Sequence, residues 1–199
     1  MQKHLDSIPM MIELHTALLH EQPQLVSPAM IVRDVARYCA DEYNRQQSLQ
    51  LTIDSLPEHA IILAENFRVA LRTIIANAFC YSPPTSVVAV TATADESSLT
   101  IIVDDEGPGI DPMEEEYLYS WFKRGRAHTA VGTRRGLGLG LPLAKLAAET
   151  MMGSLWHERR FPQGTRFVLH VPYGQELAMP SHEFAQSTHS SNGLPVAAQ

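Results

Sequence analysis

The sequence predicts an α+β fold, and three observations carry that prediction. Two stretches, 86–104 and 154–171, alternate apolar and polar residues as paired strands do. Between short strand-like runs, Phe67, Leu71, Ile74, Ile75 and Ala78 repeat at the spacing of one helix face. At 199 residues and 45% apolar composition, the chain has enough material for one core of ordinary size.

The elements follow in order. Leu5, Ile8, Met11, Ile12 and Leu18 or Leu19 form one helical stripe over residues 1–20, which Pro9 is expected to kink and Gln22-Pro23 to end. Ser27-Pro28 reads as an N-cap followed by proline at the first helical position, opening a second helix expected to reach Gln47. Leu49–Ile53 and Ala60–Leu63 read as strands joined by the turn at Ser55-Leu56-Pro57. The long helix comes next and stops before Pro83-Pro84, with Asn77 beside its apolar stripe. Ser86–Ala94 and Leu99–Asp104, separated by four polar residues from Asp95 to Ser98, form an antiparallel hairpin. Met113–Phe122, with Glu114, Glu115 and Glu116 in its first turn, reads as a helix. Lys123–Arg135 has no periodicity and reads as a mobile loop. Gly138–Met152 is helical and ends at Gly153, and a last hairpin pairs Ser154–Glu158 with Thr165–Val171. The chain from Gly174 onward is polar, aperiodic and expected to be disordered.

Charge and composition exclude whole classes of function. A net charge of −7 and a pI near 5.7 argue against nucleic acid as a partner, because phosphate-backbone binding needs a cationic face. No apolar run approaches the ~20 residues of a membrane span, and the charged N-terminus lacks the apolar core of a secretion signal. Cys39 and Cys80 have neither metal-type nor redox-type spacing, which suits a reducing cytoplasm.

Three short segments carry the chemistry. A mid-helix asparagine is locally unfavourable, so Asn77 beside an apolar face calls for a reason; its amide oxygen is a hard ligand of the kind Mg²⁺ takes. Asp105-Glu-Gly-Pro-Gly109 places a carboxylate where a strand leaves the sheet. Such a carboxylate can accept from the exocyclic amine of adenine, while Gly107 and Gly109 let backbone approach a flat base. Guanine presents an acceptor at that edge and is disfavoured. Gly136-Leu-Gly-Leu-Gly140 resembles the entry to a helix whose free amides face a phosphate. It is neither a Walker loop nor a Rossmann fingerprint, since no Gly-Lys-Ser/Thr follows and no strand directly precedes it. Arg124, Arg126, Arg134 and Arg135 flank it and can neutralise a terminal phosphate.

Taken in order, residues from about 60 to 172 resemble the ATP-binding catalytic domain of bacterial sensor histidine kinases. Arg68-Val-Ala-Leu-Arg72 through Tyr81-Ser82-Pro83 resembles the family's N box, Val103–Ile110 its G1 box and Trp121-Phe-Lys-Arg-Gly125 its F box. Gly136–Lys145 resembles its G2 box, and Gly153-Ser-Leu-Trp156 with Gly164-Thr-Arg-Phe167 its closing hairpin. The resemblance implies a Bergerat-type two-layer α/β sandwich, a mixed sheet with helices on one face and a mobile lid over ATP. It places Asn77 on Mg²⁺, Tyr81 near the phosphates or ribose, Asp105 on adenine and Arg124 at the γ-phosphate. Gly107, Gly109, Ile110, Lys123, Gly136, Leu137, Gly138, Leu139, Gly140 and Thr165 complete the implied nucleotide site. The implied reaction moves the γ-phosphoryl of ATP to a histidine nitrogen and on to a response regulator.

Three departures qualify the resemblance. Thr73 stands where many members have an asparagine, and Cys80 where a lysine or arginine is frequent, which removes one phosphate contact. Thr73 also cannot act as the glutamate base that gyrase-type ATPases, heat-shock chaperone ATPases and anti-sigma serine kinases place four residues before the metal asparagine. No acceptor histidine is recognisable: His4 and Pro9 have the right separation, but the usual neighbours are missing, and Pro23 and Pro28 leave room for only one preceding helix. Residues 1–22 then read as a remnant of a second dimerisation helix with His4, His15 and His20 on its surface, 28–173 as the ATP-binding domain and 174–199 as a polar tail. The expected partners are a response regulator receiver domain and a histidine-bearing dimerisation domain of the same or another chain, with a homodimer as one arrangement. A nucleotide-binding module that regulates a partner kinase by pairing with it is the alternative.

Overall fold

The computed structural model describes residues 7–123 and 138–174. Helix α1 spans Ser7–His20, strand β1 Gln24–Val26, helix α2 Pro28–Glu42, strand β2 Leu49–Ile53 and strand β3 Ala60–Ile62. Helix α3 spans Ala64–Tyr81, strands β4 and β5 Val88–Ala94 and Ser98–Asp104, and the single turn α4 Pro112–Glu115. Helix α5 spans Gly140–Thr150, with strands β6 and β7 at Ser154–Arg159 and Thr165–Pro172.

Five strands form a mixed sheet in the order β2-β4-β5-β7-β6; only β2 and β4 run parallel. Strands β1 and β3 make a separate antiparallel pair. The period-two pattern decides which side of the sheet is covered. Val88, Val90 and Ala92 of β4, Leu99, Ile101 and Val103 of β5, and Leu169 and Val171 of β7 are fully buried. Their alternates Thr91, Thr93, Thr100, Ile102 and His170 are half-buried on the other face. Helix α2 lies over β2 and β4, α3 over β4, β5 and β7, and α5 over β6 and β7. This is the expected two-layer arrangement with helices on one face.

Helix α3 is the central member of that layer, in contact with both α2 and α5. Phe67, Leu71, Ile74 and Ile75 on its inner stripe are all 0% exposed. Burial of such side chains contributes about 1.5–3 kcal/mol each. That outweighs the cost of under about 1 kcal/mol that Thr73 and Asn77 each impose on helix formation. Cys39 of α2 is buried among these residues, and burial pushes its thiol up to about 11, so it behaves as a small hydrophobe. Asp95 closes the β4–β5 turn by accepting from the backbone of Ser97 and Ser98 and from the Ser98 hydroxyl.

Several expectations are corrected. Pro9 is the third residue of the described part of α1, Ser7–His20, and residues 1–6 of the expected helix lie outside the described residues. Helix α2 ends at Glu42 rather than Gln47, because Asn44 takes a positive φ of 53° and turns Arg45 into the core. Strands β2 and β3 do not pair with each other; β3 pairs with β1, a three-residue strand between Pro23 and Pro28 too short to give a periodic signal. The helix expected over Met113–Phe122 is only Pro112–Glu115, capped by the Asp111 carboxylate accepting from the Met113 N–H. Beyond it Leu118 and Tyr119 pack against the core, and Phe122 reverses the chain at φ 61°. Helix α5 stops at Thr150, and the left-handed residue after it is Met152 at φ 58°, not Gly153. Gly153 answers a different demand, since a Cβ there would collide with the His170 carbonyl. The tail from 175 and most of the loop read at Lys123–Arg135 lie outside the described residues.

Candidate functional site

Asp105 follows the last residue of β5 and is 3% exposed. Its backbone extends the pairing with β7, its N–H donating to the Thr165 carbonyl at 2.9 Å. The carboxylate Oδ1 accepts from the Gly107 N–H at 2.7 Å and the Thr165 N–H at 3.3 Å. Burial raises its pKa above the ordinary 3.8, opposed by those two amides and by nearby Arg160. The other carboxylate oxygen, Oδ2, has no hydrogen-bond partner among the described residues.

The glycines around Asp105 are required by contact. A Cβ on Gly107 would sit 2.8 Å from Asp105 Oδ1 and 3.0 Å from the Tyr81 carbonyl oxygen. Gly164 has φ 120°, and a Cβ there would run into the Asp105 carbonyl. Gly109 adopts φ 80°, and Ile110 packs against the core, which anchors the end of the loop.

Helix α3 joins this corner to the second glycine segment. Thr73, Asn77 and Tyr81 stand four residues apart, so they share one face, and all three are half-buried. At one end, the Tyr81 carbonyl abuts Gly107. At the other, the Thr73 methyl lies 3.2 Å from where a Gly140 side chain would begin, at the first residue of α5. Eight residues of helix span about 12 Å. Asn77 therefore lies midway between the Asp105 corner and the α5 N-terminus, whose first amides lack intrahelical partners. Its amide has no hydrogen-bond partner among the described residues.

Gly138 has φ 71°, and its carbonyl accepts from the Phe122 N–H at 3.0 Å. A Cβ on Gly138 would lie 2.5 Å from the Lys123 carbonyl oxygen. Leu139 packs against the core, while Lys123 is exposed with its ammonium 5.5 Å from the Tyr117 ring centre. Thr165 is buried and meets Asp105 through its backbone. Arg124, Gly136 and Leu137, together with Arg126, Arg134, Arg135 and His4, lie outside the described residues. His15 is half-buried and His20 exposed on α1.

The described residues hold no group of three or more His, Cys, Asp or Glu suited to a metal.

Three residues around the site carry no local sequence signal. Glu21, just past α1, accepts from the Glu65 and Asn66 N–H groups at 2.7 and 2.9 Å, and so caps α3 from outside. Asn66, 0% exposed, donates through Nδ2 to Glu21 at 2.7 Å and to the Leu18 carbonyl at 2.9 Å. Arg45, 7% exposed, fans its guanidinium over carbonyls at the far end of α3. Each contact joins residues more than 30 positions apart, beyond any helix or strand period.

Comparison with known proteins matches residues 63–175 to the family described as histidine kinase-, DNA gyrase B-, and HSP90-like ATPase. The signal transduction histidine-protein kinase/phosphatase MprB of Mycolicibacterium paratuberculosis is 30% identical over 143 residues, covering 69% of this chain and 27% of that protein. The sensor-like histidine kinase SenX3 of Mycobacterium tuberculosis is 32% identical over 103 residues, covering 52% and 25%. The chain thus spans about a quarter of the length of these curated relatives. Among solved structures, a mycobacterial sensor histidine kinase MprB aligns with a TM-score of 0.62 at 22% identity, over 76% of this chain and 97% of that one. Full-length ShkA in complex with AMPPNP aligns with a TM-score of 0.68 at 21% identity, over 85% and 36%. At those identities, the structural matches show the shared fold.

Proposed function

We propose, because the chain belongs to the histidine kinase-, DNA gyrase B-, and HSP90-like ATPase family, that it is the ATP-binding catalytic part of a two-component sensor histidine kinase. The observation that carries this reading is the stripe Thr73–Asn77–Tyr81, which links a buried carboxylate corner to a helix N-terminus about 12 Å away. One end suits an adenine and the other a row of phosphates.

Each residue then has a task. Asp105 accepts from the adenine amine through the oxygen its own backbone leaves open. Gly107, Gly109 and Ile110 form the surface against which the base lies, and Thr165 holds the carboxylate in register. Tyr81 lines the span between base and phosphates. Gly136, Leu137, Gly138, Leu139 and Gly140 present backbone amides to the phosphates, with Lys123 and Arg124 countering their charge. Asn77 would hold Mg²⁺ through its amide oxygen, and the ion would supply positive charge to offset the charge that develops in transfer.

The reaction is attack of a histidine nitrogen on the γ-phosphorus, with cleavage of the bond to the β-phosphate oxygen and release of ADP. Thr73 lacks a carboxylate and cannot activate water, which favours transfer over hydrolysis. The accepting histidine belongs to a dimerisation domain, and the phosphoryl passes on to an aspartate of a response regulator. Residues 1–22 are the end of a dimerisation helix, 28–173 the catalytic domain and 174–199 a polar tail. The whole acts in the cytoplasm, and among the described residues no helix is long and apolar enough to cross a membrane.

The test is radiolabelled Mg-ATP with and without a separately supplied dimerisation domain, followed by an acid-lability assay for phosphohistidine. Acid-labile label on the supplied domain, absent with Asn77→Asp, is the expected result. A second reading rests on Cys80, half-buried where the resemblance expects a cation. ATP binding with no transfer to any histidine-bearing partner supports that reading, a module that regulates a kinase by pairing with it. No ATP binding at all sinks both.

A further inference from the structure

We propose that Arg45 is a positioning residue for adenine recognition, holding the C-terminal turn of α3 against the Asp105 corner; the inference rests on the ATP reading above. Nη1 of Arg45 donates to the carbonyls of Phe79 at 2.9 Å and Ser82 at 3.2 Å and to the Ser82 hydroxyl at 3.1 Å. Nη2 donates to the carbonyls of Pro83 at 2.7 Å and Ser86 at 2.8 Å, with the Ser86 hydroxyl at 3.4 Å. The group also lies 5.3 Å from the Phe79 ring centre. No carboxylate takes part in this fan. Nη1 and Nη2 are here met by backbone oxygens and two serine hydroxyls, including the last carbonyls of α3, where the helix dipole is negative, while the buried Nε has no hydrogen-bond partner among the described residues.

The consequence for the site lies in what those carbonyls bracket. Tyr81 stands between Phe79 and Ser82, and its own carbonyl oxygen is the backbone wall facing Gly107. The Gly107 N–H in turn holds Asp105 Oδ1 at 2.7 Å. Arg45 thus fixes residues 79–86, those residues fix the wall behind Gly107, and Gly107 orients the carboxylate that selects the base. Asn44, with φ 53°, breaks α2 where the chain must turn to bring Arg45 there. The site residues Asn77 and Tyr81 sit on the same final turns of α3. Lysine cannot replace this arrangement, because its single ammonium cannot span carbonyls on both sides of the turn.

The experiment compares wild-type protein, Arg45→Lys, Arg45→Met and Val171→Ala by calorimetric titration with Mg-ATP and Mg-GTP. All titrations run below the melting temperature, with native circular dichroism confirmed first. Val171 is fully buried near the opposite end of β7 from Thr165 and serves as a destabilised control away from the site. The expected result is ATP affinity about tenfold to a hundredfold weaker in Arg45→Lys, the equivalent of one misdirected charge-assisted hydrogen bond. The ATP-to-GTP ratio falls with it, whereas Val171→Ala melts earlier with its ratio intact. Arg45→Lys keeps the charge and remains informative if Arg45→Met does not fold. Wild-type binding of ATP with an unchanged ratio in Arg45→Lys overturns the positioning role alone. A wild-type protein that binds no nucleotide overturns the functional reading and this inference together.

Discussion

At Asp105 a buried carboxylate costs the fold stability at neutral pH. Its folded-state pKa lies above 3.8, so the folded chain holds the proton more tightly than the unfolded one. Stability from this group therefore falls as pH rises from 3.8 through the folded value and is flat above it. Asp105→Asn keeps an oxygen for the Gly107 and Thr165 amides and removes the buried charge. The expected outcome is an apo protein at neutral pH at least as stable as wild type by thermal melting, with ATP binding lost; retained ATP binding would count against the adenine contact. Gly138 makes a different demand. A methyl there must adopt φ 71° and meet the Lys123 carbonyl at 2.5 Å. Gly138→Ala is expected to cost about 1–3 kcal/mol and to weaken ATP binding by displacing the turn at Phe122. Calorimetry showing unchanged affinity would remove this glycine from the phosphate site. The glycine spacing was legible in the sequence as a place of close approach. That its nearest neighbour is the Phe122–Lys123 backbone was not, because that contact joins segments on either side of residues 124–137.

At the scale of elements, helix α3 depends on groups outside itself at both ends. Leu63 offers no capping side chain, and the amides of Glu65 and Asn66 are met by Glu21 instead. Glu21→Gln keeps one acceptor oxygen but loses the charge facing a helix N-terminus, and is expected to cost about 0.5–2 kcal/mol by urea denaturation. No change in the midpoint would show that the cap is idle in solution. The apolar stripe and Pro83 announced the extent of α3 correctly, because both signals lie within the helix. The helix expected over Met113–Phe122 failed for the opposite reason. Its acidic first turn was a sound start signal, but Leu118 and Tyr119 gain more by packing against the core than by continuing a helix. Tyr119 is buried enough that its pKa is pushed above the ordinary 10, and it stands 3.4 Å from His157 Nδ1 on β6.

For the molecule as a whole, α1 is joined to the domain rather than lying beside it. Leu18 is 2% exposed within the core, and Asn66 holds its carbonyl. Leu18→Ala is expected to cost about 2–5 kcal/mol, with unfolding remaining a single cooperative transition. Two separate transitions would show α1 to be an independent unit. The sequence by itself determined the α+β class, the two hairpins, the central helix and the order of the Asn77, Asp105 and Gly136–Gly140 segments. Those features are encoded in residue periods of two and 3.6 and in turn chemistry, which act between near neighbours. Only the tertiary structure decided that Glu21 caps α3, that β3 pairs with β1, and that Arg45 clasps the carbonyls around Tyr81. It also decided that Asp105 is buried deeply enough to have its pKa raised. These are outcomes of distant segments competing for the same buried space and the same unpaired backbone groups, and no local pattern records who wins.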